Sequence, residues 1–252
     1  DTHGSAQRAR FLEEIQILAQ LDHPNIARIF SSGRTSSGNP FYLMELIEGK
    51  PLDQAAASLD PAHRLKLLVE VARAVAHAHQ KGIAHRDLKP SNIIVEEKTG
   101  QAKVIDFGIA RAFEGPSSWG REGTLSGQHI GTPRYMSPEQ LAGDPSVDLR
   151  TDIFSLGLLI YELALGKPLL AGVIDSKISW EQNACQLRAF AFPRLDDREL
   201  DWIARKACAL EPDDRYQTGQ ALLDDLEAKQ NKEPVSVGLS YRGYRIRKSL
   251  AR

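Results

Sequence analysis

The sequence of 252 residues has few cysteines and almost no net charge. Its two cysteines, Cys185 and Cys208, show neither a CxxC pair nor the spacing of a disulfide framework, so we expect unpaired thiols in a reducing compartment. Thirty-two basic against thirty-three acidic residues give a net charge of −1, so no overall field attracts nucleic acid and we expect no nucleic-acid partner. A hydrophobic fraction of 42% is ordinary for a globular chain and excludes a disordered protein.

The sequence also lacks a long apolar run. Its most apolar stretch, residues 153–170, contains Glu162 and a Lys-Pro step and follows Asp152. A membrane span needs about 20 mostly apolar residues, so this stretch predicts a buried helix. The N-terminus shows neither an initiator Met nor the basic and apolar regions of a signal peptide, and we therefore expect a cytoplasmic location.

Two short apolar runs, residues 93–95 and 103–105, flank a turn at residues 98–100 and predict an antiparallel hairpin. With the turn centred there, paired residue numbers sum to about 198, which places Asn92 opposite Asp106 at the open end. Two oxygen-bearing side chains that meet there would form a site for a hard cation such as Mg²⁺. A polar hairpin end without an ion is the alternative that this geometry leaves open.

Several motifs follow one another in a fixed order from residue 85. They are HRDLKPSN at 85–92, DFG at 106–108, GTPRYMSPE at 131–139, TDIFSLG at 151–157 and DRY at 214–216. In this order they resemble the catalytic core of protein kinases, with Ser137 in place of the usual Ala before Pro-Glu. The resemblance extends from about Arg8 to Ala228. It implies an α+β, bilobal protein-kinase fold with an incomplete small lobe, made of helix C and two strands, and a mostly helical large lobe.

The resemblance implies a Ser/Thr protein kinase that transfers the γ-phosphate of ATP to protein Ser/Thr hydroxyls. Asp87 would accept or orient the proton of the substrate hydroxyl, and Lys89 would steady the γ-phosphate. Asn92 and Asp106 would hold Mg²⁺ against the ATP phosphates. A lysine at position 89 is typical of the Ser/Thr class, so the expected ligands are ATP and Mg²⁺ and the expected partners are proteins that carry Ser or Thr acceptors.

The run FYLMELIEG at residues 41–49 resembles the strand and hinge that bind adenine. Met44 would be the gatekeeper, and Ile94 would pack beneath the adenine ring. The backbone carbonyl of Glu45 and the backbone N–H of Ile47 would meet the adenine edge. Ordinary strand packing would explain Met44 equally well.

The resemblance further implies an apolar spine anchored by Asp152. The spine residues are Leu18, Ile29, His85 and Phe107.

The resemblance also implies regulatory roles in and around the activation segment, residues 106–139. Arg86 would pair with a phosphate on this segment and so order it. Thr124 is the preferred acceptor of that phosphate. The other candidates are Ser117, Ser118 and Ser126.

Three further residues are expected to seat the protein substrate. Thr132 would bridge to Asp87 and Lys89 and help to place the acceptor hydroxyl. Glu139 and Arg215 would form a buried ion pair that fixes the substrate-docking loop, rather than two solvated charges.

One part of the family pattern is absent from the sequence. Glu14 falls where the family places the helix glutamate that pairs with an ATP-binding lysine, yet the thirteen residues before Glu14 contain no lysine and no GxGxxG run. Three strands of typical length need about fifteen residues without their turns, so they do not fit there. We therefore expect a truncated catalytic domain that is nearly inactive by itself. A natural pseudokinase that acts as a protein-interaction scaffold is the alternative. Small-molecule phosphotransferases share the Asp-to-Asn spacing but lack the docking loop.

Charge is distributed unevenly along the chain. Residues 231–252 carry six basic residues and one acidic residue, a charge of +5, which leaves −6 for residues 1–230. We divide the chain into a small-lobe remnant (1–47), a large lobe (48–230) and a basic tail (231–252). The tail predicts either a juxtamembrane segment near anionic lipid or a solvated linker to another domain. The first interpretation would make the chain the cytoplasmic part of a membrane-anchored kinase, similar to bacterial receptor-like Ser/Thr kinases.

Overall fold

The structure is a computed structural model that describes residues 15, 18–36, 39–107, 133–238 and 244. Within these residues the strands form two small sheets, and seven α-helices follow residue 51. The strands are β1 (Ile29–Arg34), β2 (Pro40–Met44), β3 (Gly49–Pro51), β4 (Ile93–Glu96) and β5 (Ala102–Val104). The helices are α1 (Leu52–Ala56), α2 (Pro61–Gln80), α3 (Pro138–Leu141), α4 (Arg150–Leu165), α5 (Trp180–Ala189), α6 (Arg198–Ala207) and α7 (Gly219–Gln230).

β1 and β2 form an antiparallel two-stranded sheet in which Ser32 pairs with Tyr42. The apolar runs at residues 26–30 and 41–47 predict two strands joined by a turn over residues 31–40, and the structure shows that these boundaries are wrong. The ladder continues to Arg34 and Pro40, because β2 supplies hydrogen-bond partners to a Ser/Gly-rich stretch that has little strand propensity of its own. The turn is correspondingly shorter than predicted.

β4 pairs antiparallel with both β3 and β5. In the predicted hairpin, Ile93 pairs with Val104, so paired residue numbers sum to 197. The predicted register was therefore wrong by one residue. Asn92 lies opposite Ile105, whose backbone N–H donates to the Asn92 carbonyl at 2.9 Å, and Asp106 follows one residue later.

The loop of this hairpin explains the shift in register. The Glu96 backbone N–H donates to the Gln101 carbonyl at 2.9 Å, so four residues, 97–100, form the loop. Gly100 closes it with φ at 65°, a left-handed conformation that glycine adopts at little cost. A loop of these four residues pairs residues whose numbers sum to 197, whereas a turn centred on Thr99 would make the paired numbers sum to 198.

The residues just before β1 attach that sheet to β5. The Asn25 side-chain amide donates to the Ala102 carbonyl at 2.8 Å, and backbone hydrogen bonds join Asn25 and Ala27 to Val104 at 2.8 and 2.9 Å. The β1–β2 sheet therefore has a fixed position relative to the β4–β5 hairpin that carries Asn92 and Asp106.

Helix α2 begins and ends at clear capping signals. The Asp60 carboxylate accepts the backbone N–H of His63 at 2.9 Å, and Pro61 occupies the first turn. A glycine directly after a helical run predicts a C-terminal cap, and Gly82 confirms this, since it has φ at 73° and its backbone N–H donates to the His79 carbonyl at 2.9 Å. The helix packs against α4 and α7 and supports the loop that follows it.

Helix α4 contains the most apolar stretch of the sequence and is buried on nearly every side. Its residues from Thr151 to Tyr161 are all buried in the core of the large lobe. This confirms the predicted buried helix. Among the described residues, no helix is long and apolar enough to span a membrane.

The first part of the basic tail packs on the large lobe. Val235 has no exposed surface, and the buried Asp225 of α7 accepts hydrogen bonds from the Ser236 hydroxyl at 2.9 Å and from the Tyr216 phenol at 2.8 Å. Tyr244 stacks edge-on against Trp202 of α6 at 5.3 Å between ring centroids. The chain thus continues its packing beyond α7.

Candidate active site

Asp87, Lys89 and Asn92 converge in the loop between α2 and β4. The Lys89 ammonium donates to Asp87 Oδ2 at 2.7 Å, and the Asn92 side-chain amide donates to the same oxygen at 3.0 Å and to the Asp87 carbonyl at 2.8 Å. Asp87 Oδ1 has no hydrogen-bond donor among the described residues. The side chain of Asp87 is 33% exposed, so this oxygen can receive a proton from a ligand.

Asn92 and Asp106 form the adjoining part of the site. Because the Asn92 side-chain NH₂ group donates to Asp87, its Oδ1 atom is left as an acceptor. The hydrogen bond from the Ile105 N–H to the Asn92 backbone carbonyl places Asp106 one residue beyond the pairing partner of Asn92. An amide oxygen and a carboxylate are suitable Mg²⁺ ligands, so the donor set at this hairpin end fits the ion.

The Asp106 carboxylate also accepts a hydrogen bond from strand β2. The phenol of Tyr42 donates to Asp106 Oδ1 at 2.8 Å. Burial and this hydrogen bond raise the pKa of Tyr42 far above its ordinary value of 10, so the phenol stays protonated. Asp106 itself has φ at 58°, a left-handed conformation that costs a non-glycine residue about 1–3 kcal/mol.

A single buried carboxylate holds the backbone before Asp87. Asp152 of α4 has no exposed surface and accepts the backbone N–H groups of His85 and Arg86, both at 2.7 Å. His79 Nε2 lies 2.8 Å from the same carboxylate. Asp152 therefore fixes the start of the loop, and this support allows Arg86 to adopt a left-handed conformation with φ at 65°.

The predicted spine residues occupy neighbouring positions. The rings of His85 and Phe107 lie 4.7 Å apart, and His85 Nε2 is 3.0 Å from the Ile105 carbonyl. Leu18, Ile29 and Phe107 line one small cavity. His85 is thus a packed residue with its ring nitrogens engaged, which suits a structural role rather than that of a catalytic base.

The segment from Met44 to Ile47 leads from β2 toward β3. Met44 lines the same cavity as Phe107 and Asp106. The Glu45 carboxylate forms an ion pair with Lys103 and accepts the backbone N–H of Arg28 at 3.2 Å. Burial alone would raise the pKa of Glu45, but these two hydrogen bonds outweigh it and lower the pKa. The segment is therefore held by its side chains.

Ile47 ends this segment, and Ile94 belongs to β4 in the other sheet. The two residues do not form a closed pocket among the described residues. Ile94 is in the centre of β4, where it pairs with Pro51 of β3 and with Lys103 of β5, and its side chain is half-buried. Ile47 is also half-buried. Both side chains can therefore contact a ligand placed between the two sheets.

Glu139 and Arg215 form the predicted buried ion pair. The guanidinium donates to the two Glu139 carboxylate oxygens at 2.6 Å each, and its remaining donors bond to carbonyls of Ala209, Leu210 and Arg150. The neighbouring Gln140 donates to the Arg86 carbonyl at 2.9 Å. The ion pair thus fixes helix α3 beside the loop that carries Asp87.

A sequence model of the protein kinase domain matches residues 1–226. This chain belongs to the protein kinase family. The resemblance stated from the sequence is therefore confirmed.

Similar proteins include bacterial Ser/Thr kinases. The chain is 36% identical over 236 residues to a probable serine/threonine-protein kinase of Streptomyces coelicolor, an alignment that covers 90% of this chain and 34% of that protein. It is 36% identical to the serine/threonine-protein kinase PknB of Mycobacterium tuberculosis over 89% of this chain and 36% of that protein. The chain thus spans about a third of the length of these curated relatives.

The solved structures confirm the fold. The kinase domain of PknI from Mycobacterium tuberculosis superposes with a TM-score of 0.65 and 26% identity, over 89% of this chain and 79% of that chain. The predicted α+β kinase fold is therefore correct.

Three of the predicted kinase residues, Glu14, Thr124 and Thr132, lie outside the described residues. Arg86 is described, and its buried Nε atom has no hydrogen-bond partner among the described residues. This orphan donor is compatible with the predicted pairing to the activation segment.

Sequence reasoning missed two contacts of the site, those of Tyr42 with Asp106 and of Lys103 with Glu45. A signal for the first was present. Residues two apart on a strand share a face, so Tyr42 points to the same side of β2 as Met44. Lys103 gave no such signal, because its partner is 58 residues away in the sequence.

Proposed function

We propose that this chain is the catalytic part of a Ser/Thr protein kinase that transfers the ATP γ-phosphate to protein Ser/Thr hydroxyls. One observation carries the proposal: Asp87 is held by Lys89 and Asn92 with one oxygen free, and Asp106 follows one residue after the backbone partner of Asn92. We interpret the free oxygen as the proton acceptor and Asn92 and Asp106 as the metal-binding pair. Phosphoryl transfer needs positioning and charge neutralisation, and this cluster supplies both.

The roles follow from the free atoms. Asp87 Oδ1 accepts or orients the proton of the substrate hydroxyl, while Lys89 and Asn92 keep the carboxylate from turning away. The Lys89 ammonium also offers positive charge to the transferred phosphate. Asn92 Oδ1 and the Asp106 carboxylate hold Mg²⁺, and this ion, when bound, neutralises phosphate charge.

The adenine end of ATP is assigned to the segment after β2. Met44 is the gatekeeper, and Ile94 packs beneath the ring. The Glu45 carbonyl and the Ile47 N–H bind the adenine edge. The ion pair of Glu45 with Lys103 supports this assignment, since it holds the segment without using the Glu45 carbonyl.

Regulation is assigned to the activation segment. Arg86 pairs with a phosphate there, with Thr124 as the preferred acceptor, and Thr132 bridges to Asp87 and Lys89. Glu139 and Arg215 fix the docking loop. An alanine series at the four candidate hydroxyls, Ser117, Ser118, Thr124 and Ser126, should lower activity most at Thr124, and unchanged activity across the series would contradict this assignment.

The division into a small-lobe remnant (1–47), a large lobe (48–230) and a basic tail (231–252) is part of the proposal, as is a cytoplasmic location.

The tail is assigned to an anionic membrane surface because of its charge of +5. Sedimentation with phosphatidylserine vesicles should exceed that with phosphatidylcholine vesicles, and substituting Arg245, Arg247 and Lys248 with Gln should abolish the difference. Equal sedimentation with both lipids would favour the linker interpretation.

The central test is phosphate transfer from γ-labelled ATP to a protein substrate. The natural gene product that contains this chain should label Ser or Thr, and Asp87→Asn should reduce the rate by about 10²–10⁴-fold. The 252-residue chain alone should be nearly inactive, because Glu14 has no lysine partner before it. Robust transfer by this chain would refute that expectation. A gene product that binds partners but transfers no phosphate would favour the pseudokinase alternative.

A further inference from the structure

The hydrogen bond between Tyr42 and Asp106 crosses from the small-lobe sheet to the metal-binding hairpin. Its donor and acceptor lie 64 residues apart in the sequence and 2.8 Å apart in space. Tyr42 is half-buried, and its ring lines the cavity shared by Leu18, Met44 and Phe107. The Tyr42 phenol therefore belongs to a side chain that is packed into the lining of this cavity.

The backbone of Asp106 is fixed on both sides, but its side chain is not. Ile105 is bonded to Asn92, and Phe107 packs on the ring of His85. Within the described part of the chain, the Tyr42 phenol is the one hydrogen-bond donor to the Asp106 carboxylate. The orientation of this carboxylate about its side-chain torsions thus depends on Tyr42.

The orientation of the Asp106 carboxylate matters for the binding of Mg²⁺. The ion requires nearly octahedral geometry and is usually bound by single oxygens of one or two carboxylates. With Oδ1 engaged by a phenol, Asp106 presents Oδ2 as the one fully available oxygen. Partners that orient a metal ligand in this way strongly affect metal affinity.

We propose that Tyr42 is a positioning residue that holds Asp106 so that Oδ2 faces the divalent ion. This inference rests on the proposed function, because it takes Asp106 as a metal ligand. Tyr42 acts through Asp106 and touches neither the nucleotide nor the reacting atoms.

The test measures binding of Mn²⁺, as a spectroscopic substitute for Mg²⁺, to the natural gene product that contains this chain, with ATP present, by electron paramagnetic resonance. Tyr42→Phe keeps the ring and removes the hydroxyl, and it should weaken Mn²⁺ binding by about 10-fold or more. Tyr216→Phe is the matched control, since it removes another phenol–carboxylate hydrogen bond of 2.8 Å, to Asp225. This control should change Mn²⁺ affinity by less than about twofold, because Asp225 belongs to α7.

A second comparison separates positioning from general loosening of the site. In an Asp106→Ala background, Tyr42→Phe should cause no further loss of affinity, because alanine leaves the phenol no side-chain oxygen at position 106 to orient. Unfolding curves for each variant show whether the chain remains folded. A full additional loss in that background would overturn the proposed route through Asp106.

The other outcomes distinguish this inference from the proposed function. Mn²⁺ affinity that is unchanged or tighter in Tyr42→Phe would overturn the role of Tyr42 and leave the kinase proposal standing; tighter binding would mean that the phenol competes with the ion. Wild-type gene product that binds no Mn²⁺ with ATP, or binds it equally well after Asp106→Ala, would contradict both proposals.

Discussion

Two groups of charged side chains, both from kinase motifs, differ in how fully their hydrogen bonds are satisfied. Arg215 has no exposed side-chain surface, and all of its N–H donors bond to Glu139 or to backbone carbonyls. Asp87 is one-third exposed, and one of its oxygens has no donor within the described ranges. Buried charged groups whose hydrogen-bonding atoms all have partners hold the fold. Exposed groups that keep an atom without a partner can still bind a ligand. We call these the anchoring group (Glu139, Asp152 and Arg215) and the reacting group (Asp87, Lys89, Asn92 and Asp106).

The largest effect on stability is expected from Arg215→Leu. The substitution leaves the Glu139 carboxylate buried without its cation, which should lower the free energy of unfolding by about 3–5 kcal/mol in urea titrations. Arg188→Leu is the control, because its ion pair with Glu211 is exposed and should contribute less than about 1 kcal/mol. The double variant Arg215→Leu/Glu139→Leu should recover part of the loss. Equal effects of the Arg215 and Arg188 substitutions would break the distinction between anchoring and surface charges.

A smaller loss is expected from Asp152→Asn. The Asp152 carboxylate bonds to two backbone N–H groups and to His79, whereas the amide of asparagine has only one acceptor oxygen. The free energy of unfolding should therefore fall by about 1.5–3 kcal/mol. Asp213→Asn removes an equal charge from a side chain that is 92% exposed and bonded to Arg150, and it should be nearly neutral. An Asp152→Asn variant as stable as wild type would show that this carboxylate does not hold the loop.

Asp87→Asn should change stability least among the Asp-to-Asn substitutions in the two groups. Its side chain is partly exposed, and the amide oxygen can still accept from Lys89, so we expect a change below about 1 kcal/mol. The same substitution should abolish most phosphate transfer in the natural gene product. A large stability loss would place Asp87 in the anchoring group.

The smallest effect concerns pH. His23 and His77 stack at 5.1 Å, and burial, followed by the nearby charges, lowers the pKa of both from 6.5. For His23 these charges are His77 and Arg73; for His77 they are Lys81, with Asp22 acting in the opposite direction. Because the unfolded chain then binds protons more readily, stability should be complete above pH 6.5 and decline as pH falls below it.

His77→Phe should reduce this decline, since it removes one titrating ring and keeps an aromatic contact. Unfolding curves at pH 7.5 and 5.5 measure the difference between the two chains. An identical decline in wild type and variant would assign the pH dependence to other groups.

The sequence predicted the fold better than it predicted the surroundings of the motif residues. HRDLKPSN and DFG fixed which side chains would meet, because these motifs lie on one loop and one hairpin. The register of that hairpin was wrong by one residue, since the length of a turn decides it and Gly100 allowed more than one length. The packing of Val235 on the large lobe was also not foreseen, because a charge count does not reveal a buried segment.

The contacts of Tyr42 and Lys103 were missed for a different reason. Each joins elements that are distant in the sequence, and the placement of the two sheets depends on long-range contacts such as those of Asn25 and Ala27 with β5. Local patterns predict which face a residue occupies, but the partner across that face depends on how the sheets are placed.

The most direct test of the account is anomalous diffraction from crystals of the 252-residue chain grown with Mn²⁺ and a non-hydrolysable ATP analogue. We predict an Mn²⁺ peak at about 2.1 Å from Asp106 Oδ2 and from Asn92 Oδ1, with Asp87 still bonded to Lys89. A peak at other residues, or nucleotide bound with no ion at this hairpin end, would contradict the assignment of Asn92 and Asp106 as the metal ligands.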